Sequence, residues 1–215
     1  MLRPFALALA LIARPAMGCE VALVLAMDVS GSIDAGEYRL QVEGLTAALA
    51  DGAVRDVMLR GQVALTVVQW SGLGQQQQSI PWRRMLSEAG IDRFRHEVSI
   101  MPRAWLRGET GVGEAIAFAA ALFPEVADCE RKVIDLSGDG AENVGFGTPR
   151  ARREAIAAGI EINALAIERI GVAITNFYRG WVISPGGFVV TASGHLDYAR
   201  AIRIKILREL SAPVG

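Results

Sequence analysis

The sequence predicts an α/β domain: a doubly wound, mostly parallel central sheet with helices on both faces. Three observations carry that expectation. Short, near-continuous apolar runs at 21–26, 63–70, 133–136 and 160–167 read as strands buried on both faces, as parallel sheets require. Segments of helical periodicity separate them, so strand and helix alternate along one compact length. No repeat or linker divides residues 19–215, and a hydrophobic share of 52% is ample for one core.

The first 18 residues, MLRPFALALALIARPAMG, stand apart from that pattern. They carry a basic Arg3, an apolar run from Phe5 to Ala13, and small residues Ala16 and Gly18 at a cleavage position, with no acidic residue. This is the pattern of a signal peptide, and the run is shorter than the roughly 20 apolar residues a membrane span needs. No later segment is long and apolar enough to span. A periplasmic or secreted protein follows. The alternative is a lipid anchor on Cys19, since AMGC loosely resembles a lipoprotein signal. It lacks the usual leucine, and the first strand starts too close behind the cysteine.

From residue 21 the elements run in order. A buried strand at 21–26 leads to a helix at about 34–50, where Asp34 is a good N-cap and Glu37 completes a capping box. Tyr38, Val42, Leu45 and Leu49 mark one face of that helix. A second strand covers 63–70. SGLGQQQQ reads as a polar hairpin tip, 79–82 as a short edge strand and 87–100 as a helix. An Ala-rich helix at 112–123 is stopped by Pro124. Then come a short strand at 133–136, a helix at 149–158, a strand at 160–167 and a last strand at 188–191. The closing helix at about 195–210 has Ala199, Ile202, Ile206 and Leu210 facing inward.

In such sheets function gathers at the carboxyl ends of the strands. Three segments there share one chemistry. DVSGS offers Asp28, Ser30 and Ser32 at alternate positions of an extended chain, so all three can point the same way, and Gly31 lets the backbone turn between the serines. GETGVGEA offers Thr110 just before a helix. IDLSGDG places Asp139 beyond a buried strand. Two carboxylates and three hydroxyls form an oxygen-only set. Zinc would prefer His or Cys, whereas Mg²⁺, or another hard ion such as Mn²⁺ or Ca²⁺, suits such ligands and keeps an open position.

Asp28-x-Ser30-x-Ser32, then Thr110, then Asp139 resembles the metal-ion-dependent adhesion site of von Willebrand factor A domains, with all five positions in order over roughly residues 20–210. Through DVSGSID, VIDLSGDG and YRGWVISPGGF the chain is also similar to an uncharacterised family of secreted bacterial proteins with this domain. SGDG departs from the Thr that many such domains carry before the aspartate. The resemblance implies a binding module that captures a protein ligand, with an acidic residue of that ligand completing the metal shell.

Other classes fare worse. With 22 basic and 23 acidic residues there is no basic excess for a nucleic acid. Neither a G-x-S-x-G elbow nor a P-loop is present. An aspartyl phosphotransferase would need an acid two positions after Asp28, where Ser30 stands. His96 and His195 read as surface or capping residues, and Arg150, Arg152 and Arg153 as a solvated face. ENVGFGTP, Gly-rich and beside the site, reads as a flexible loop, the alternative being a segment that shapes a ligand pocket. The competing readings are a Mg²⁺-dependent hydrolase of phosphate esters and a scaffold whose metal is structural; a non-enzyme is the expectation. Finally, Cys19 stands nine residues before Asp28 and Cys129 ten before Asp139. If both aspartates meet one ion on parallel neighbouring strands ~4.8 Å apart, the cysteines meet at the opposite edge, and an oxidising compartment favours their disulfide.

Overall fold

The computed structural model describes residues 18–211, so the expected signal peptide lies outside the described residues except for Gly18. Six strands form one sheet in the order β3-β2-β1-β4-β5-β6. They are β1 (Val21–Asp28), β2 (Ala64–Trp70), β3 (Gln76–Arg84), β4 (Arg131–Gly138), β5 (Ile160–Ile167) and β6 (Val189–Ala192). All neighbours pair in parallel except β2 with β3, which form an antiparallel hairpin.

All eight residues of β1 are buried, because alternate side chains feed two separate cores. Leu23, Leu25 and Met27 enter one core with α1 (Ala35–Ala50), α2 (Gly52–Arg60), α3 (Glu88–Ser99) and α7 (Tyr198–Leu210). Ala22, Val24 and Ala26 enter the other with α4 (Val112–Ala120), α5 (Thr148–Ala157) and the segment of α6 (Ala173–Phe177) with its π-helical extension Tyr178–Val182. The small residues of β1 thus all face α4 and α5, which lets those helices sit close to the sheet. At the start of α1 the capping box is formed: the Glu37 amide donates to Asp34 Oδ1 at 2.8 Å and the Asp34 amide to Glu37 Oε2 at 2.8 Å.

Several expectations need correction. The glutamines are not a hairpin tip: Gln76 to Gln78 open β3, whose polar faces suit an edge strand, and the turn is confined to residues 71–75. A further helix, α2, follows α1 directly, with Asp51 as the C-cap of one and the N-cap of the other. The Ala-rich helix ends at Ala120, and Pro124 sits inside a separate 3-10 turn, Phe123–Val126. On α7 Ala199 is exposed, while Lys205 and Glu209 face inward beside Ile202 and Ile206.

The disulfide is formed. Cys19 and Cys129 are bonded with their Cα atoms 4.4 Å apart, closing a span of 110 residues. The register explains it: Val21 pairs with Arg131 and Met27 with Ser137, so β1 and β4 run in step from the cysteines to the aspartates.

Candidate metal centre

Asp28 ends β1, Thr110 precedes α4, and Asp139 follows β4, so all three lie at the carboxyl edge of the sheet. Ser30 and Ser32 stand in the turn between β1 and α1. That turn is fixed from outside: the Gly31 amide donates to the Gly108 carbonyl at 2.9 Å, and the Arg103 guanidinium donates to the carbonyls of Val29 (3.0 Å) and Ser30 (2.9 Å).

The five oxygen-bearing residues come together. Ser32 Oγ donates to Asp139 Oδ1 at 2.6 Å, Ser30 Oγ and Ser32 Oγ are 3.2 Å apart, and the Ser30 amide donates to Asp28 Oδ1 at 2.7 Å. Thr110 is held by Asn143 on both sides: the Thr110 amide donates to Asn143 Oδ1 at 2.8 Å, and the Asn143 amide to the Thr110 carbonyl at 3.0 Å. A Cβ on Gly140 would stand 3.3 Å from Thr110 Oγ1, which places that hydroxyl beside the turn carrying Asp139.

Two carboxylates, Asp28 and Asp139, are buried at this edge. Asp28 is fully buried, and its Oδ2 has no hydrogen-bond partner. Burial, aided by the neighbouring charge of Asp139, pushes its carboxyl up to about 7, although bonds from Ser30 pull the other way. Tyr178 sends its hydroxyl to the same place. A Cβ on Gly138 would lie 2.5 Å from that hydroxyl and 2.8 Å from Asp28 Oδ2, so only glycine fits there. Burial and the charges of Asp28 and Asp139 hold the Tyr178 phenol well above its usual value, hence neutral. Among the described residues no group of three or more His, Cys, Asp or Glu side chains could hold a metal. The donor set is therefore two carboxylates plus hydroxyls, which fits a hard divalent cation and offers nothing to a soft one.

Sequence reasoning missed four contributors. Glu142 accepts from the Gly113 amide (2.9 Å) and the Thr148 amide (3.3 Å), tying the first turns of α4 and α5 together, so its loop is anchored rather than loose. Asn143 is described above. Arg169 reaches over the rim from the loop after β5 to the Ser32 carbonyl (2.8 Å), Glu37 (3.1 Å) and Asp139 (3.3 Å). His195 is buried rather than on the surface, with Nδ1 3.3 Å from Glu37 Oε1, and burial lowers its pKa. Only the glycines around Asn143 gave a signal; the reach of Arg169 depends on a contact between distant segments.

Comparison with known proteins agrees with this architecture. No curated protein matches the sequence significantly. Among solved structures, proximal thread matrix protein 1 from the mussel byssus, solved with a zinc-occupied MIDAS motif, superposes with a TM-score of 0.67 at 17% identity, covering 87% of this chain and 47% of that one. The pilus adhesin SpaC from Lactobacillus rhamnosus GG gives 0.63 at 16%, covering 88% and 31%. A von Willebrand factor type A protein from Catenulispora acidiphila gives 0.61 at 16%, covering 89% and 42%. The chain thus spans less than half the length of these neighbours, with which it shares the von Willebrand A fold. A family profile covers residues 18–214, a span that includes every described residue, and on that match the protein belongs to the family described as Protein of unknown function (DUF1194).

Proposed function

We propose that the protein is an extracytoplasmic binding module that captures a protein ligand through a hard divalent cation, Mg²⁺ in the first instance. Asp28, Ser30, Ser32, Thr110 and Asp139 would hold the ion directly or through water, and an acidic residue of the partner would complete its shell. The observation that carries this reading is the buried Asp28 carboxylate, with one oxygen unpartnered, set beside a second carboxylate. A cation would offset the cost of burying those charges.

The rim supports the choice of a protein as ligand. Leu73, Leu106, Phe146, Ile170 and Val172 on loops, and Leu196 on the 3-10 turn His195–Asp197, are all exposed at the carboxyl edge around the site. Apolar residues ringing a charged centre are what a protein interface uses to exclude water from its polar contacts. The disulfide is consistent with an oxidising compartment, and no helix among the described residues is long and apolar enough to cross a membrane. The adhesin and the byssal matrix protein among the neighbours add weight to binding rather than catalysis.

The test is calorimetric titration of Mg²⁺ into the protein and into Asp28→Ala and Asp139→Ala, followed by capture of partners from periplasmic extract with Mg²⁺ or with a chelator. Binding should vanish in both variants, with their folds intact because both residues lie at the carboxyl edge of the sheet and in neither apolar core. Unchanged Mg²⁺ binding in both would overturn the assignment, and capture indifferent to the chelator would overturn the role of the ion.

A further inference from the structure

On the α7 side of the sheet three ionisable side chains are sealed in the core, away from the metal-site edge. Lys205 and Glu209 lie one turn apart on α7, and Asp135 points to them from the middle of β4. Their side chains are 0%, 0% and 1% exposed. Lys205 Nζ stands 2.8 Å from Asp135 Oδ1, at ion-pair distance but without hydrogen-bond alignment, and it bonds to Glu209 Oε1. Both Asp135 oxygens and Glu209 Oε2 lack hydrogen-bond partners. The Phe188 ring covers the group, 5.3 Å from Nζ. On the sheet side, the space between Asp135, Leu25, Tyr198 and Ile202 has no room for water.

An ion pair held dry with incomplete hydrogen bonding is costly, and a salt bridge recovers that cost only with good geometry and further bonds. A different outcome is open to an amine and a carboxyl kept in contact with a second carboxyl beside them and water excluded. We propose that Lys205 and Asp135 condense into an intramolecular amide, with Glu209 relaying the proton.

The step balances without any co-reactant. Within the contact pair Lys205 first passes a proton to Asp135, which leaves –NH₂ beside –COOH. Nζ attacks Asp135 Cγ, the Nζ–Cγ bond forms and a Cγ–O bond breaks. Glu209 gives its proton to the departing hydroxyl, which leaves as water, and takes back the proton lost by the amine, so it ends as it began. Burial raises the Asp135 carboxyl and lifts that of Glu209 to about 8, so that Glu209 carries the proton it must give at neutral pH. In water the equilibrium opposes such a condensation. In this core it is favoured because two buried charges disappear and the water has no space in which to stay. Proximity supplies the rate, since an amine held against the carboxyl group meets it at a very high effective concentration. The product fastens the last helix to the central strand β4, independently of the metal.

Mass spectrometry of the folded full chain tests this. The protein should be lighter by one water than the disulfide-bonded sequence, and should stay so after reduction. Tryptic digestion should give a branched peptide joining residues 133–150 to residues 204–208 through an uncleaved Lys205. Asp135→Asn should give the same branched product, because ammonia then leaves in place of water. Glu209→Ala should leave most chains unbranched. Linear peptides with cleavage after Lys205 would overturn the proposal, and so would loss of water without a branch, which a succinimide at Asp139-Gly140 would produce. A branched peptide that formed equally well in Glu209→Ala would overturn the relay.

Discussion

At the scale of single residues, Asp28 decides how the molecule responds to pH. Its carboxyl stands at about 7 in the fold against 3.8 ordinarily, so the folded state binds that proton more tightly than the unfolded state does. The stability this contributes is complete below pH 3.8 and is lost as the pH rises through about 7; the shift corresponds to about 4 kcal/mol. Metal-free protein should therefore melt at a higher temperature in mildly acidic than in mildly alkaline buffer. Asp28→Asn should show a shallower pH dependence, the remainder coming from Glu209, which is shifted in the same direction. Mg²⁺ added to the wild type in alkaline buffer should restore most of the difference. Parallel melting curves for wild type and variant across this range would refute the account. Asn143 acts more quietly, through one side-chain bond to the Thr110 amide. Asn143→Ala should weaken Mg²⁺ binding about fivefold, the worth of one such bond, with little change in the unfolding midpoint. Calorimetry beside a denaturant titration separates the two effects. The residues at alternate positions of DVSGS were legible in the sequence because an extended chain makes alternation a statement about direction. Asn143 and Arg169 were not, because each works through a contact with a residue far away in the chain.

At the scale of elements, legibility followed burial. β1, β2, β4 and β5 announce themselves as apolar runs because both of their faces are covered. β3 is an edge strand with a mostly solvated surface, so its glutamines gave no apolar alternation to read. α2 buries only Val54 and Met58 and begins where α1 ends, leaving no polar gap to mark it. On α7 a pattern reading places apolar residues inward and cannot anticipate that Lys205 and Glu209 go with them. α4 and α5 approach each other closely at Gly113. A Cβ on Gly113 would meet the Thr148 nitrogen at 2.5 Å and the Gly147 Cα at 2.8 Å, and both are backbone atoms that cannot rotate away. Gly113→Ala should destabilise the protein by about 2–3 kcal/mol and loosen the Glu142 bridge between the two helices. An unchanged urea midpoint would show that the helices can part more easily than this packing implies.

At the scale of the whole molecule, the disulfide ties the start of β1 to the start of β4 across a span of 110 residues. In the chain-entropy account, closing a loop of that length is worth about 4–5 kcal/mol. The double variant Cys19→Ser, Cys129→Ser should lose stability of that order in denaturant titration, and the oxidised protein should yield no alkylatable thiol until it is reduced. Two thiols reactive without reduction would contradict the bond.

The same bond has a consequence at the far end of the sheet. β1 and β4 are two rails of one ladder, joined at their base by the disulfide and carrying Asp28 and Asp139 at their tips, ~26 Å away for eight residues of strand. A slip of either rail by one rung would turn its side chains to the opposite face and pull the two aspartates out of step. With the base riveted, such slippage is forbidden, so the proposed chelate would be assembled in advance and a cation would have little left to organise. Cutting the rivet should then be felt as a weaker grip on Mg²⁺ at the other end, although no sulfur atom comes near it.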